Sequence, residues 1–315
     1  MKKQSEPFMG VIFSLQRSPK SDQHPASDEG ILLKGEGSRA ILLIHGLTGS
    51  PAELAFVARS FHREGYTVFV PRIAGHGASI FELKKKKWEA FHTSMREAFQ
   101  KLRSLCDEDA SIFVGGLSMG ALLALLLAQE NPSQVAGVIS FSATLFFDGW
   151  NVPWTNRLLP IAFHTPLKHF FYFKEESPYG LKSESARRHV DACYRDAKLD
   201  DDSDASRNGY AFFPVALFCE LQRLVTYLTP RLSGINAPLL LFQAVEDDMT
   251  SPRNSEFIRD NVNSAVCELI LLEDSYHVIT ADRERYLVAE KAIDFCNRMT
   301  MQKTSATSLL TSCPS

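Results

Sequence analysis

The chain has 315 residues, 45% of them apolar and 23% charged, which is the balance of a globular protein with a full core and excludes a disordered, collagenous or coiled-coil chain. Its 34 Lys and Arg against 37 Asp and Glu leave a formal charge of -3, so no global field draws nucleic acid or an anionic membrane. The six cysteines (Cys106, Cys193, Cys219, Cys267, Cys296, Cys313) form no close pair suited to zinc or thiol exchange, and no apolar run of about 18 residues is present.

No signal-peptide cleavage site follows the short apolar stretch Phe8 to Leu15. The expectation is a cytoplasmic protein with no nucleic-acid partner and no integral membrane segment. The sequence leaves its oligomeric state open.

Residues 1–29, polar and rich in Pro and Ser over 16–30, read as a flexible extension. Strand-length apolar runs then follow at Ala40 to His45, Thr67 to Val70, Ser111 to Gly115, Val135 to Phe141, Pro238 to Ala244 and Val266 to Leu272. Between them lie helical patterns at 51–64, 84–105, 118–130, 252–262 and 282–298. This alternation predicts an α/β fold with a mainly parallel central sheet and helices on both faces.

Ser50-Pro51 and Ser251-Pro252 each set a capping hydroxyl before a proline suited to a first helical turn, and Asn131-Pro132 stops the helix before it. Residues 121–128 (ALLALLLA) are apolar on every side, as a helix buried in a large core must be. Gly35 to Ala40 formally fits a dinucleotide fingerprint but precedes a strand, so it reads as a hairpin turn. The run Lys84 to Lys87 reads as the solvated start of a helix.

Residues 144–233 break the rhythm. An aromatic-rich stretch (Phe146, Phe147, Trp150, Trp154, Phe163, Phe170 to Phe173) leads into a charged one and then into leucines at helical spacing. The expected organisation is a core of 30–143 and 234–299, an inserted helical cap at 144–233 and a flexible tail at 300–315. Phe146, Trp150 and Trp154 are candidates to line a substrate pocket under the cap, although helical caps also need aromatic cores of their own.

The sharpest chemical signal is Gly116-Leu117-Ser118-Met119-Gly120, directly after a predicted strand and opening the all-apolar helix. A serine on such a strained turn is lifted into the cleft at the carboxyl edge of the sheet and needs small neighbours two residues away on each side. Serine is a weak nucleophile, so it requires a base held in one tautomer by an acid. His277 lies just beyond the last predicted strand, and Asp247 and Asp248 follow the strand before it. All three therefore reach the same sheet edge, in the order serine, aspartate, histidine.

His45 ends a strand at that edge too, but its place before Gly46 suits a loop-shaping role. The two oxyanion donors expected of acyl transfer are the backbone N–H groups of Met119 and of Leu47, in the turn His45-Gly46-Leu47-Thr48-Gly49. No phosphate-cradling Gly-x-x-x-x-Gly-Lys loop or His-Glu-x-x-His pair is present, so neither cofactor nor metal is implied.

The segments ILLKGEGSRAILLIHGLTGSPAEL, PRIAGHG, GGLSMG, AVEDDMTSP and SYHVIT resemble the α/β-hydrolase superfamily, within it the bacterial carboxylesterases and monoacylglycerol-lipase-like enzymes. The resemblance implies Ser118 as nucleophile, His277 as base, Asp247 in preference to Asp248 as acid, and Leu47 with Met119 as oxyanion hole. It also implies hydrolysis of a small-molecule ester with an apolar acyl chain. The same residues would serve an acyl-thioesterase or acyltransferase, and a non-catalytic binding protein on this fold is the remaining alternative.

Overall fold

The computed structural model describes residues 11–13, 30–36, 38–152, 163, 165–195 and 209–311. Its strands, in chain order, are β1 (Val11–Phe13), β2 (Gly30–Leu33), β3 (Arg39–Ile44), β4 (Thr67–Pro71), β5 (Ser111–Leu117), β6 (Val135–Phe141), β7 (Phe171–Lys174), β8 (Phe212–Pro214), β9 (Leu239–Ala244) and β10 (Cys267–Leu272). Its α-helices are α1 (Ala55–Arg63), α2 (Ile80–Leu83), α3 (Trp88–Ser104), α4 (Met119–Glu130), α5 (Glu184–Tyr194), α6 (Val215–Leu228), α7 (Arg253–Asn261) and α8 (Arg285–Thr311).

Seven strands form one sheet in the order β2-β4-β3-β5-β6-β9-β10. Every neighbouring pair is parallel except β2 with β4. Strand β3 shows why the strands are apolar throughout. Ala40, Leu42 and Ile44 face one buried cluster, while Ile41 and Leu43 face another on the opposite side. Helices α1 and α8 cover the second face through Phe61, Val288 and Phe295; α3, α4 and α6 cover the first. Helix α4 is buried from Met119 to Ala128 because β3, β5 and β6 lie beneath it and α3 and α6 flank it.

The six strand expectations agree with the structure to within a residue or two, and four other expectations differ from it. Gly35 to Ala40 does not close a hairpin, since β2 pairs with β4 and not with β3. The lysine run forms the turn between α2 and α3, and Lys84 donates from Nζ to the Tyr172 hydroxyl and to the His169 carbonyl. Ser50 caps its helix by accepting from the Ala52 N–H, but the Ser251 hydroxyl instead donates to Asp148 and leaves α7 without a side-chain cap. The last helix continues to Thr311, well past the expected end at 298.

Between β6 and β9 the chain leaves the sheet. This stretch contains strands as well as helices: β7 pairs with β8, and the N-terminal β1 adds antiparallel to β7 through Val11 opposite Phe173. Short edge strands of this kind lack the long alternation by which strands are recognised in a sequence.

Candidate active site

Strand β5 passes into α4 at Ser118, whose φ of 58° and ψ of -118° are unusual for a side-chain-bearing residue. Such a conformation costs about 1–3 kcal/mol and persists only where the surroundings enforce it. Here they do. A Cβ at Gly116 would meet the Gly120 carbonyl at 2.2 Å, and one at Gly120 would meet the Ile44 carbonyl oxygen at 2.1 Å. The Ser118 N–H donates to the Phe141 carbonyl at 2.9 Å, which ties the turn to β6. Its hydroxyl is paired with Thr144 Oγ1 at 2.8 Å.

His277, in the loop after β10, lies 2.9 Å from Asp247 Oδ2 through Nδ1. A carboxylate only accepts, so the proton resides on Nδ1 and the Nε2 lone pair is left bare. That Nε2 is buried with no partner among the described residues. Asp247, after β9, also accepts from Gln243 Nε2, the Thr250 hydroxyl, and the Met249 and Thr250 N–H groups, which fix its carboxylate plane. Burial works against a charged imidazole, but the Asp247 charge and hydrogen bond, with Asp248 and Glu53 nearby, outweigh it and raise His277 above 6.5.

Asp248, the adjacent carboxylate, is no solvated loop charge. It is fully buried and accepts from the N–H groups of Gly180 and His277. Desolvation, followed by the neighbouring Asp247 charge, pushes its pKa up to about 6. The two adjacent carboxylates thus divide the work of holding His277, Asp247 taking the ring and Asp248 the main chain.

The Leu47 loop is the second wall of the cleft. The Gly46 N–H donates to Glu53 Oε2 at 3.1 Å, and His76 Nε2 lies 2.7 Å from the Leu47 carbonyl. Met119 is the first residue of α4, so its N–H lies outside the helix's own hydrogen-bond ladder. The structure therefore brings Leu47, Ser118 and His277 to one cavity with Met119 directly behind the serine.

That cavity, of about 380 Å³, is walled by aliphatic and aromatic groups including Leu117, Leu181, Val190, Phe147, Phe213 and Phe218. Of the pocket aromatics expected from the sequence, Phe146 and Trp150 are not among the lining residues. Phe146 packs edge-on against Phe257, while Trp150 is 55% exposed and donates from Nε1 to the Glu246 carbonyl. Their neighbour Phe147 reaches the cavity in their place. Trp154 lies outside the described residues.

Two lining carboxyls went unforeseen. Desolvation raises Glu53 to about 7 and Glu175, also repelled by Glu53 and Asp248, to about 8. A glutamate two places after Ser50-Pro51, in a turn that must be buried to shape the cleft, was the available signal for Glu53; Glu175 carries none, because the register of the cap is not written in its pattern.

A nucleophile-elbow serine at the carboxyl edge of a mainly parallel sheet, followed along the chain by aspartate and histidine, is the architecture of the α/β hydrolases. The chain belongs to the serine aminopeptidase S33 family of that fold, whose family model matches residues 35–284.

It is 27% identical over 276 residues to a thermostable monoacylglycerol lipase of Bacillus sp. (strain H-257), covering 87% of this chain and 97% of the relative. It is 25% identical to a carboxylesterase of Bacillus subtilis (strain 168), covering 84% and 94%. Among solved structures, one described under two metagenome-derived lipolytic enzymes, LipS and LipT, superposes with a TM-score of 0.70 at 27% identity, covering 88% and 100%. A soluble variant of the monoglyceride lipase of Saccharomyces cerevisiae gives 0.69 at 14% identity, covering 91% and 98%, a likeness of fold alone.

Proposed function

We propose that this chain hydrolyses carboxylic esters with an apolar acyl chain, as a carboxylesterase or monoacylglycerol lipase does, with Ser118 as nucleophile, His277 as base and Asp247 as the acid that orients it. The observation that carries this reading is the bare, buried Nε2 of His277, held by Asp247 in the one tautomer able to take a proton and placed in the cavity that Ser118 lines.

Ser118 turns its hydroxyl from Thr144 towards His277 and attacks the ester carbonyl as its proton passes to Nε2. The oxyanion accepts hydrogen bonds from the Leu47 and Met119 N–H groups. The alcohol leaves with the proton, and water attacks the acyl-serine by the same steps.

Family and relatives support an ester hydrolase and do not favour the thioesterase or acyltransferase alternative. The cavity supports the same preference. Among the described residues its lining contains Glu53 and Glu175 but no lysine or arginine, so the phosphates of a coenzyme A thioester find no counter-charge there. Among the described residues no helix is long and apolar enough to cross a membrane. A cytoplasmic location is part of the proposal and rests on the scattered cysteines.

The test compares p-nitrophenyl esters of increasing acyl length with the matching acyl-coenzyme A thioesters. Higher kcat/KM on the esters at every length is expected. Equal or better turnover of the thioesters would transfer the assignment to a thioesterase.

A further inference from the structure

In the turn 46–49 three successive carbonyls are tied down, and the ties come from three separate parts of the chain. Its first anchor is local. His45 Nε2 accepts from the Ile73 N–H at 3.2 Å, so the proton is on Nδ1, which donates to the Gly46 carbonyl at 3.0 Å. In a planar trans peptide the N–H points opposite to the C=O. Holding the Gly46 carbonyl against the His45 ring therefore aims the Leu47 N–H the other way.

The second anchor is His76, whose Nε2–H donates to the Leu47 carbonyl at 2.7 Å. The third is Tyr210, which arrives from the inserted segment, just before β8, and whose N–H donates to the Thr48 carbonyl at 2.9 Å. Three successive carbonyls are thus held by the turn itself, by the loop after β4 and by the cap.

Tyr210 also controls the second anchor. Its hydroxyl accepts from the Gly77 N–H at 2.9 Å and donates to the Ala78 carbonyl at 2.7 Å, the two residues that follow His76. Its ring meets the His76 ring edge-on with centroids 6.2 Å apart. Burial lowers His76 to about 4, so that ring stays neutral and keeps a single donor at ordinary pH.

We propose that Tyr210 is a positioning residue for the oxyanion hole, through which the cap fixes the direction of the Leu47 N–H. The proposal rests on the reading of Leu47 as an oxyanion donor. Tyr210 is not among the residues lining the cavity, so it acts on the transition state through the loop and not by contact with substrate. Loss of its hydroxyl leaves substrate binding intact while loosening the donor that the developing oxyanion requires.

The experiment measures kcat, KM and the affinity for an alkyl trifluoromethyl ketone, which adds to the serine and places an oxyanion in the hole. The variants are Tyr210→Phe, Ser118→Ala and Tyr172→Phe. Tyr172→Phe removes a different cap hydroxyl, one bonded to Lys84. Removal of an oxyanion donor outright costs about 10²–10³ in kcat, so a donor left in place but loosened should lose about tenfold.

Tyr210→Phe is expected to lower kcat and ketone affinity together by that factor, with KM within twofold and the melting temperature little changed. Tyr172→Phe should leave kcat and ketone affinity as they are. A Tyr210→Phe protein with unaltered kcat, or with lower kcat and undiminished ketone affinity, or a Tyr172→Phe protein that loses as much, overturns the proposal. If Tyr210→Phe does not fold, Tyr210→His, whose ring offers one N–H, should show a smaller loss in both readouts, and parity with the parent overturns it. Ketone binding that survives Ser118→Ala would instead sink the underlying serine mechanism, so the two failures are distinct.

Discussion

Replacing Asp247 by Asn removes one charge with almost no change of shape, and its consequences are readable from the five hydrogen bonds that converge on the carboxylate. Oδ1 receives the Met249 and Thr250 N–H groups at 2.8 Å each, so the single amide oxygen stays there. The new NH2 must then occupy the Oδ2 position, where it faces Gln243 Nε2, the Thr250 hydroxyl and the ring nitrogen of His277.

A donor facing Nδ1 drives the imidazole proton to Nε2, and the base loses its lone pair towards Ser118. An equivalent tautomer inversion in a serine protease triad costs about 10⁴ in kcat, or roughly 5.5 kcal/mol at 1.36 kcal/mol per decade. The same loss is expected here, with KM little affected.

The pH profile supplies an independent check. In the parent enzyme the base must be neutral, and its pKa lies above 6.5, so kcat/KM is full at higher pH and falls as pH drops through that value. In Asp247→Asn the charge that raised it is gone and burial, which lowers it, prevails. The acid limb of the residual activity should therefore move below its parental position. The assay is initial-rate hydrolysis of a neutral short-chain chromogenic ester from pH 5 to 9. A loss of less than tenfold, or an acid limb that does not move, would refute the assignment of Asp247 to the ring of His277.

Further outcomes follow from the same geometry. Gly120→Ala sets a Cβ at 2.1 Å from the Ile44 carbonyl oxygen and should yield an unstable, inactive protein by thermal melting; an active protein with an unchanged melting temperature would contradict the tight elbow. Glu53 has its folded-state pKa raised from 4.5 to about 7, so its contribution to stability is complete below pH 4.5 and is lost as pH rises through 7. At 1.36 kcal/mol per unit that loss is on the order of 3 kcal/mol. Glu53→Gln should therefore gain in melting temperature relative to the parent between pH 5 and pH 8, and a gap that stays constant over that range would reject the buried ionisation.

The central sheet was legible in the sequence because its strands are buried on both faces and bounded by glycine, proline and asparagine. The all-apolar 121–128 could only be a helix enclosed on every side. Ser118, His277 and the neighbourhood of Asp247 were legible for a related reason: an elbow followed by two strand ends fixes where side chains emerge, whatever the loops do between.

The segment between β6 and β9 was read less well. Its strands are three or four residues long, and β7 finds its partners in β8, some 40 residues on, and in β1, some 160 residues back in the chain, so no local period reveals them. Phe146 and Trp150 miss the cavity lining for the same reason, since the choice between Phe146 and Phe147 depends on a backbone direction that tertiary contacts set. The division between Asp247 and Asp248 came from resemblance alone, and its cause lies in the Gln243 and Thr250 side chains, which no motif connects to them.

Whether the Ser118 hydroxyl is the reacting atom decides the mechanism. Treating the enzyme with a fluorophosphonate and locating the adduct by peptide mass measures this directly. The expected result is a single phosphonyl group on the peptide containing Gly116 to Gly120, absent from Ser118→Ala, with ester hydrolysis lost in proportion to labelling. An adduct on another residue, or complete labelling of Ser118 with hydrolysis undiminished, would contradict it.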